Sequence, residues 1–91
     1  LVVIINLNME ERKLLAKPMV TTRGFILINE NEELIKKIEK LAERKIIRKL
    51  EDKKVTFTDV KSEVTKELSN FIKEETGRKP IVLPIILNIK K

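Results

Sequence analysis

The run that decides the fold is Ile81, Val82, Leu83, Pro84, Ile85, Ile86, Leu87, Asn88, Ile89, near the end of a 91-residue chain. Side chains alternate across an extended strand, so Ile81, Leu83, Ile85, Leu87 and Ile89 point one way and Val82, Pro84 and Ile86 the other. Both faces are apolar, so the strand needs cover on both. The first run has the same character, with Val3, Ile5 and Leu7 on one side and Val2 and Ile4 on the other.

Working outward from residues 81–89, Gly77 and Pro80 form a stop and a turn, because Gly suits the left-handed position after a helix and Pro prevents continuation. The helix they end is predicted to begin at Thr56, which with Asp59 three residues later resembles a capping box. Val55 and Val60 are placed to form a hydrophobic staple across it. Its buried stripe is Val60, Val64, Leu68, Phe71 and Ile72. An earlier helix is predicted from Asn31, a good N-cap followed by Glu32 and Glu33, to about Leu50. Leu34, Ile35, Ile38, Leu41, Ala42, Ile46 and Leu50 share one side at helical spacing, which leaves Ile47 outside the stripe.

Before that helix the chain reads as extended. Residues 2–8 form a strand, 9–12 a polar connection, and 13–16 a return strand that Pro18 interrupts by removing a backbone donor. Extension resumes at Met19 and reaches Asn29, with Gly24 marking a bulge or bend. The expected class is α+β: a three-stranded β-sheet in β-β-α-α-β order with two helices packed on one face. Two helices cover about one face of such a sheet. Val2, Ile4, Val82 and Ile86 are assigned to the open face, as an oligomer interface. Covering them is worth roughly 1.5 to 3 kcal/mol per side chain before the costs of association.

Composition sets the chemistry the chain can carry. With no His and no Cys, the common zinc ligand sets and His-activated nucleophiles cannot be assembled. No catalytic residue and no metal ligand is assigned. The adjacent carboxylates Glu32 with Glu33 and Glu74 with Glu75 diverge by about 100° on a helix and read as solvated faces. The absence of cysteine makes a reducing cytoplasm the expected compartment, and no apolar run approaches the roughly 20 residues that span a bilayer, so no membrane partner is expected. The chain begins inside an apolar strand rather than at a Met, and is taken as a single domain, 1–91, excised from a longer protein.

The net charge of +6 admits nucleic acid or an acidic protein surface as partner. Six bases between residues 44 and 54 also suit the helix dipole, since they sit at the C-terminal end of a helix that starts with acids. Arg23, Arg78 and Lys79 are candidate RNA or interface contacts. Each has a structural reading beside the functional one: Arg23 pairing with a helix carboxylate, Arg78 and Lys79 closing the end of the second helix. With no Tyr or Trp, three Phe and no GXXG loop, a base-stacking platform is poor, and any RNA contact would be phosphate-led. Phe25, Phe57 and Phe71 are assigned to the core.

Three stretches together resemble the C-terminal domain of ribonuclease J, a metallo-β-lactamase and β-CASP type of ribonuclease. Residues 17–25 (Lys-Pro-Met-Val-Thr-Thr-Arg-Gly-Phe) look like the family's Gly-Pro run followed by Ser or Thr, Arg, Gly, Phe. Residues 29–34 are similar to the acidic helix start that follows it. Residues 76–84 (Thr-Gly-Arg-Lys-Pro-Ile-Val-Leu-Pro) are close to its Thr, Lys, Arg, Arg, Pro, hydrophobic triplet, Pro pattern. Lys17 stands where Gly is usual and Gly77 where Lys is usual, and these departures suit a divergent paralogue such as the second ribonuclease J of Gram-positive bacteria.

The resemblance implies a parent that processes and degrades RNA, as a 5′-to-3′ exonuclease or endonuclease, with zinc or another divalent metal held by His and Asp in a separate catalytic domain. This domain would then carry no cofactor. It would support activity and oligomer assembly, with a second copy, a paralogous ribonuclease subunit or the parent's catalytic domains as partners and RNA reached through the full-length enzyme. The alternative is an accessory RNA-binding module that contacts phosphates through basic residues.

Overall fold

A computed structural model describes residues 1–21, 32–78 and 81–89. Four strands and two helices follow one another as β1 (Val2–Asn8), β2 (Lys13–Leu14), β3 (Met19–Thr21), α1 (Glu32–Leu50), α2 (Phe57–Thr76) and β4 (Leu83–Asn88). The α+β class and the helix pair agree with the sequence reading, whereas the expected three strands are four. The extra one arises because the second strand is split: β2 pairs with the end of β1, and β3 with its start, on either side of a break that contains Pro18.

Central β1 runs antiparallel to β2 and β3 on one edge and parallel to β4 on the other. The two Asn residues that end β1 and β4 hold that end of the sheet together. Asn88 Oδ1 accepts from Met9 N at 3.0 Å, and Asn8 Oδ1 accepts from Glu11 N at 3.0 Å, closing the turn into β2. Arg12 completes this turn in the left-handed region, φ +53°, and its guanidinium donates to Glu51 O at 3.4 Å.

Both helices lie under one face of the sheet, α1 against β2 and β3 and α2 against β4. Spacing explains the core. Leu34, Ile38, Ala42, Ile46 and Leu50 recur every four residues along α1, as do Val60, Val64, Leu68 and Ile72 along α2. These rows meet Val3, Ile5 and Leu7 of β1, all fully buried. Ile35, Leu41, Val55 and Phe71 pack at the margin, and Ile47 is exposed, as its place outside the stripe required. Phe57 departs from its core assignment: at the first position of α2, directly after the N-cap Thr56, it is 39% exposed. Phe25 lies outside the described residues.

Local signals set the ends of α2. Thr56 is in an extended conformation, its hydroxyl accepts from Asp59 N at 3.2 Å, and Asp59 Oδ2 accepts from Thr56 N at 3.0 Å, so the capping box is complete. At the other end Gly77 has φ +74° and donates its N–H to Lys73 O at 2.8 Å. Thr76 Oγ1 donates to Ile72 O at 2.8 Å and accepts from Arg78 N at 3.2 Å. The Thr-Gly-Arg segment is therefore a helix stop that satisfies otherwise unpaired backbone groups and turns the chain toward β4.

Candidate interaction surfaces

The sheet face away from the helices is apolar and open. In a directly paired register both partners point to the same side, and here Val2 pairs with Leu83, Ile4 with Ile85 and Asn6 with Leu87. Across the other edge Ile4 pairs with Met19. The outward set is thus Val2, Ile4, Met19, Leu83, Ile85 and Leu87, with Ile81 and Ile89 extending it. Met19 is 56% exposed, Leu83 54%, Ile85 46%, Leu87 47% and Ile81 76%, while Val2 and Ile4 are half-buried.

This corrects half of the assigned interface. Val2 and Ile4 do face outward, but Val82 lies in the core at 6% exposure and Ile86 packs against the core from the same side. The reason is the hydrogen-bond phase of the parallel pair. Leu83 N donates to Leu1 O at 2.9 Å and Ile89 N to Leu7 O at 2.8 Å, and this register places Pro84 and Ile86 beside Val3 and Ile5 on the buried side. The smaller apolar set of β4 faces the helices and the larger one faces out. With both faces apolar, alternation alone carries no sign. The signal lay in Pro84: odd residues direct their N–H groups to β1, so even ones direct theirs to the outer edge, where a proline sacrifices no hydrogen bond to β1.

Arg78 is exposed just beyond α2, and Arg23 and Lys79 lie outside the described residues. Of the bases at the end of α1, Lys45 pairs with Glu67 at 3.9 Å and Lys49 with Glu63 at 3.7 Å, so part of that group is neutralised across the helix seam. Further back along α1, Lys37, Lys40 and Arg44 line a cleft of about 420 Å³ with Leu41 and with Phe71 of α2. Sequence reasoning grouped the bases by position in the chain and missed this cluster. Its signal is the spacing 37, 40, 44, which puts three cations on one helix side. A larger cleft, about 640 Å³, lies between the β1–β2 turn and α1, where Leu14, Leu15 and Ile47 are flanked by Arg12, Glu43 and Glu51. Among the described residues no group of three or more Asp or Glu side chains is arranged to hold a metal ion.

The family model for the ribonuclease J C-terminal domain matches residues 1–89, which takes in every strand and helix described above. The chain belongs to this family. Among curated relatives, Ribonuclease J2 of Bacillus subtilis is 32% identical over 89 residues, covering 98% of this chain. Ribonuclease J 2 of Staphylococcus epidermidis is 27% identical over 88 residues, and that of Staphylococcus aureus 25% over the same length. The chain spans 16% of the length of each of these relatives. In this ribonuclease J domain two of the stretches that carried the resemblance have physical roles: residues 76–78 stop α2, and residues 17–21 contain the strand break and β3. The Gly77 departure falls at a left-handed φ of +74°, which a Lys would occupy with strain.

Proposed function

We propose that this chain is a non-catalytic assembly domain of a longer ribonuclease J, and that its open sheet face packs on a second ribonuclease J subunit. The observation that carries the reading is the outward face of β1, β3 and β4. Its exposed side chains amount to roughly 600 Å² of apolar surface per copy, at the upper end of what a monomer leaves open. Two copies face to face would bury up to about 1,200 Å², the lower edge of the range of specific interfaces. Pro84 at the outer edge of β4 supplies no N–H for a further strand, which favours pairing by faces over pairing by edges.

RNA processing and decay, in this reading, belong to the parent. The hydrolytic metal chemistry implied by the family needs His and Asp ligands, and a chain without His cannot supply such a set. The domain's contribution is then to hold catalytic bodies together in a reducing cytoplasm. Sedimentation equilibrium of the chain between 5 and 500 μM tests the central claim, with a concentration-dependent dimer expected. A monomer throughout that range would overturn it.

A further inference from the structure

We infer that the cleft of Lys37, Lys40, Arg44, Leu41 and Phe71 is a binding site for the phosphodiester backbone of single-stranded RNA. The seam between α1 and α2 explains why. Glu63, Glu67 and Phe71 follow at four-residue intervals on α2 and pass down the side of α1. The first two meet Lys49 and Lys45 in ion pairs at 3.7 and 3.9 Å. At the third step the acid is replaced by Phe71, which lines the cleft with Leu41, and Lys37, Lys40 and Arg44 surround this apolar floor. No carboxylate lines the cleft, and none of the three cations has an ion pair among the described residues. Glu33, four residues before Lys37, does not bridge to it, and Glu75, the next step of the α2 row and the one that faces Lys37, is exposed and makes no ion pair with it.

Cations at 37 and 40 and at 40 and 44 are neighbours on a helix and repel one another. That arrangement of charge weakens α1, whereas the next turns of the same seam neutralise their charges. A polyanion neutralises all three. Lys37 and Arg44 are seven residues apart, about 10 Å along the axis, so successive phosphates of one strand can be met in turn. The partly exposed ring of Phe71 gives a ribose or base a flat apolar surface between them. Arg78, Arg23 and Lys79 are not needed for this site. The choice of RNA among polyanions rests on the ribonuclease reading, but not on assembly.

The test measures fluorescence anisotropy of a 20-nucleotide oligo(U) RNA with the 91-residue chain at 25 to 200 mM KCl. Three phosphate contacts predict a slope of log K against log salt of about −2. Lys37→Gln/Lys40→Gln/Arg44→Gln is expected to bind at least tenfold more weakly with a slope near zero, and to melt no lower than the parent chain because repulsion is removed. Lys17→Gln/Lys53→Gln/Lys54→Gln, with the same loss of charge, is expected to stay within threefold. The inference is overturned if the parent chain fails to bind at 25 mM KCl, if the control variant loses as much, or if the cleft variant melts lower. It is also overturned if poly-glutamate of matched charge binds the cleft as tightly as the RNA does. A chain that binds RNA through the cleft yet stays monomeric overturns the assembly reading alone.

Discussion

Neighbouring residues Ile85 and Ile86 provide a sharp discrimination, because one substitution should act on association and the other on folding. Ile85 is 46% exposed on the open face, whereas Ile86 packs against the core beside Ile5. Burying the exposed half of Ile85 under a partner is worth about 1 kcal/mol per copy, and a two-fold interface uses the residue twice, about 2 kcal/mol in all. Ile85→Glu should therefore weaken association at least about 30-fold, with desolvation of two carboxylates adding to the loss. Its effect on the isolated chain should stay under about 1 kcal/mol, since the position is already half in water. Ile86→Glu forces a carboxylate toward the buried face and should cost at least about 2 kcal/mol of folding stability. Sedimentation equilibrium gives the association constants and urea denaturation followed by far-UV circular dichroism gives the stabilities. Equal association constants for Ile85→Glu and the parent chain would refute the assignment of this face. A larger loss of folding stability at Ile85 than at Ile86 would refute the parity of β4.

The remaining predictions concern the elements that hold the surfaces in place. Thr56→Ala removes the acceptor for Asp59 N and should cost about 1 kcal/mol by urea denaturation. Gly77→Ala meets no atom within 4 Å of the new Cβ, so only the backbone penalty at φ +74° remains, about 1 to 2 kcal/mol; a loss above 3 kcal/mol would mean a clash that the geometry does not contain. Leu68→Ala, fully buried between helices and sheet, should cost about 2 to 5 kcal/mol in the same assay. Glu63→Gln with Glu67→Gln breaks both seam ion pairs, which are partly exposed, and should cost no more than about 1 kcal/mol in low salt and less in 1 M NaCl.

Much of the architecture was legible because its signals are local. The capping box at Thr56 and the stop at Gly77 involve residues within a few positions of one another, and the four-residue rows of α1 and α2 follow from helical geometry alone. Val3, Ile5 and Leu7 were readable as one face of a strand. The chemistry the chain excludes was equally plain, since missing His and Cys are missing in any fold. Phe57 went astray because its size spoke for the core, while at the first position of α2 it is exposed.

What the sequence by itself determined was the α+β class, both helices, the start and stop of the second, the ribonuclease J family, and the excess of apolar surface at the two terminal strands. Only the tertiary structure decided which way that excess points. A strand apolar on both faces has no preferred side until its hydrogen-bond register with β1 is known, and a one-residue change of phase exchanges the buried set for the exposed one. The same holds for charge. Lys45 and Lys49 look no different from Lys37 and Lys40 in sequence, and it is the acids of α2, brought alongside by packing, that neutralise the first pair and, among the described residues, leave the second without an ion pair.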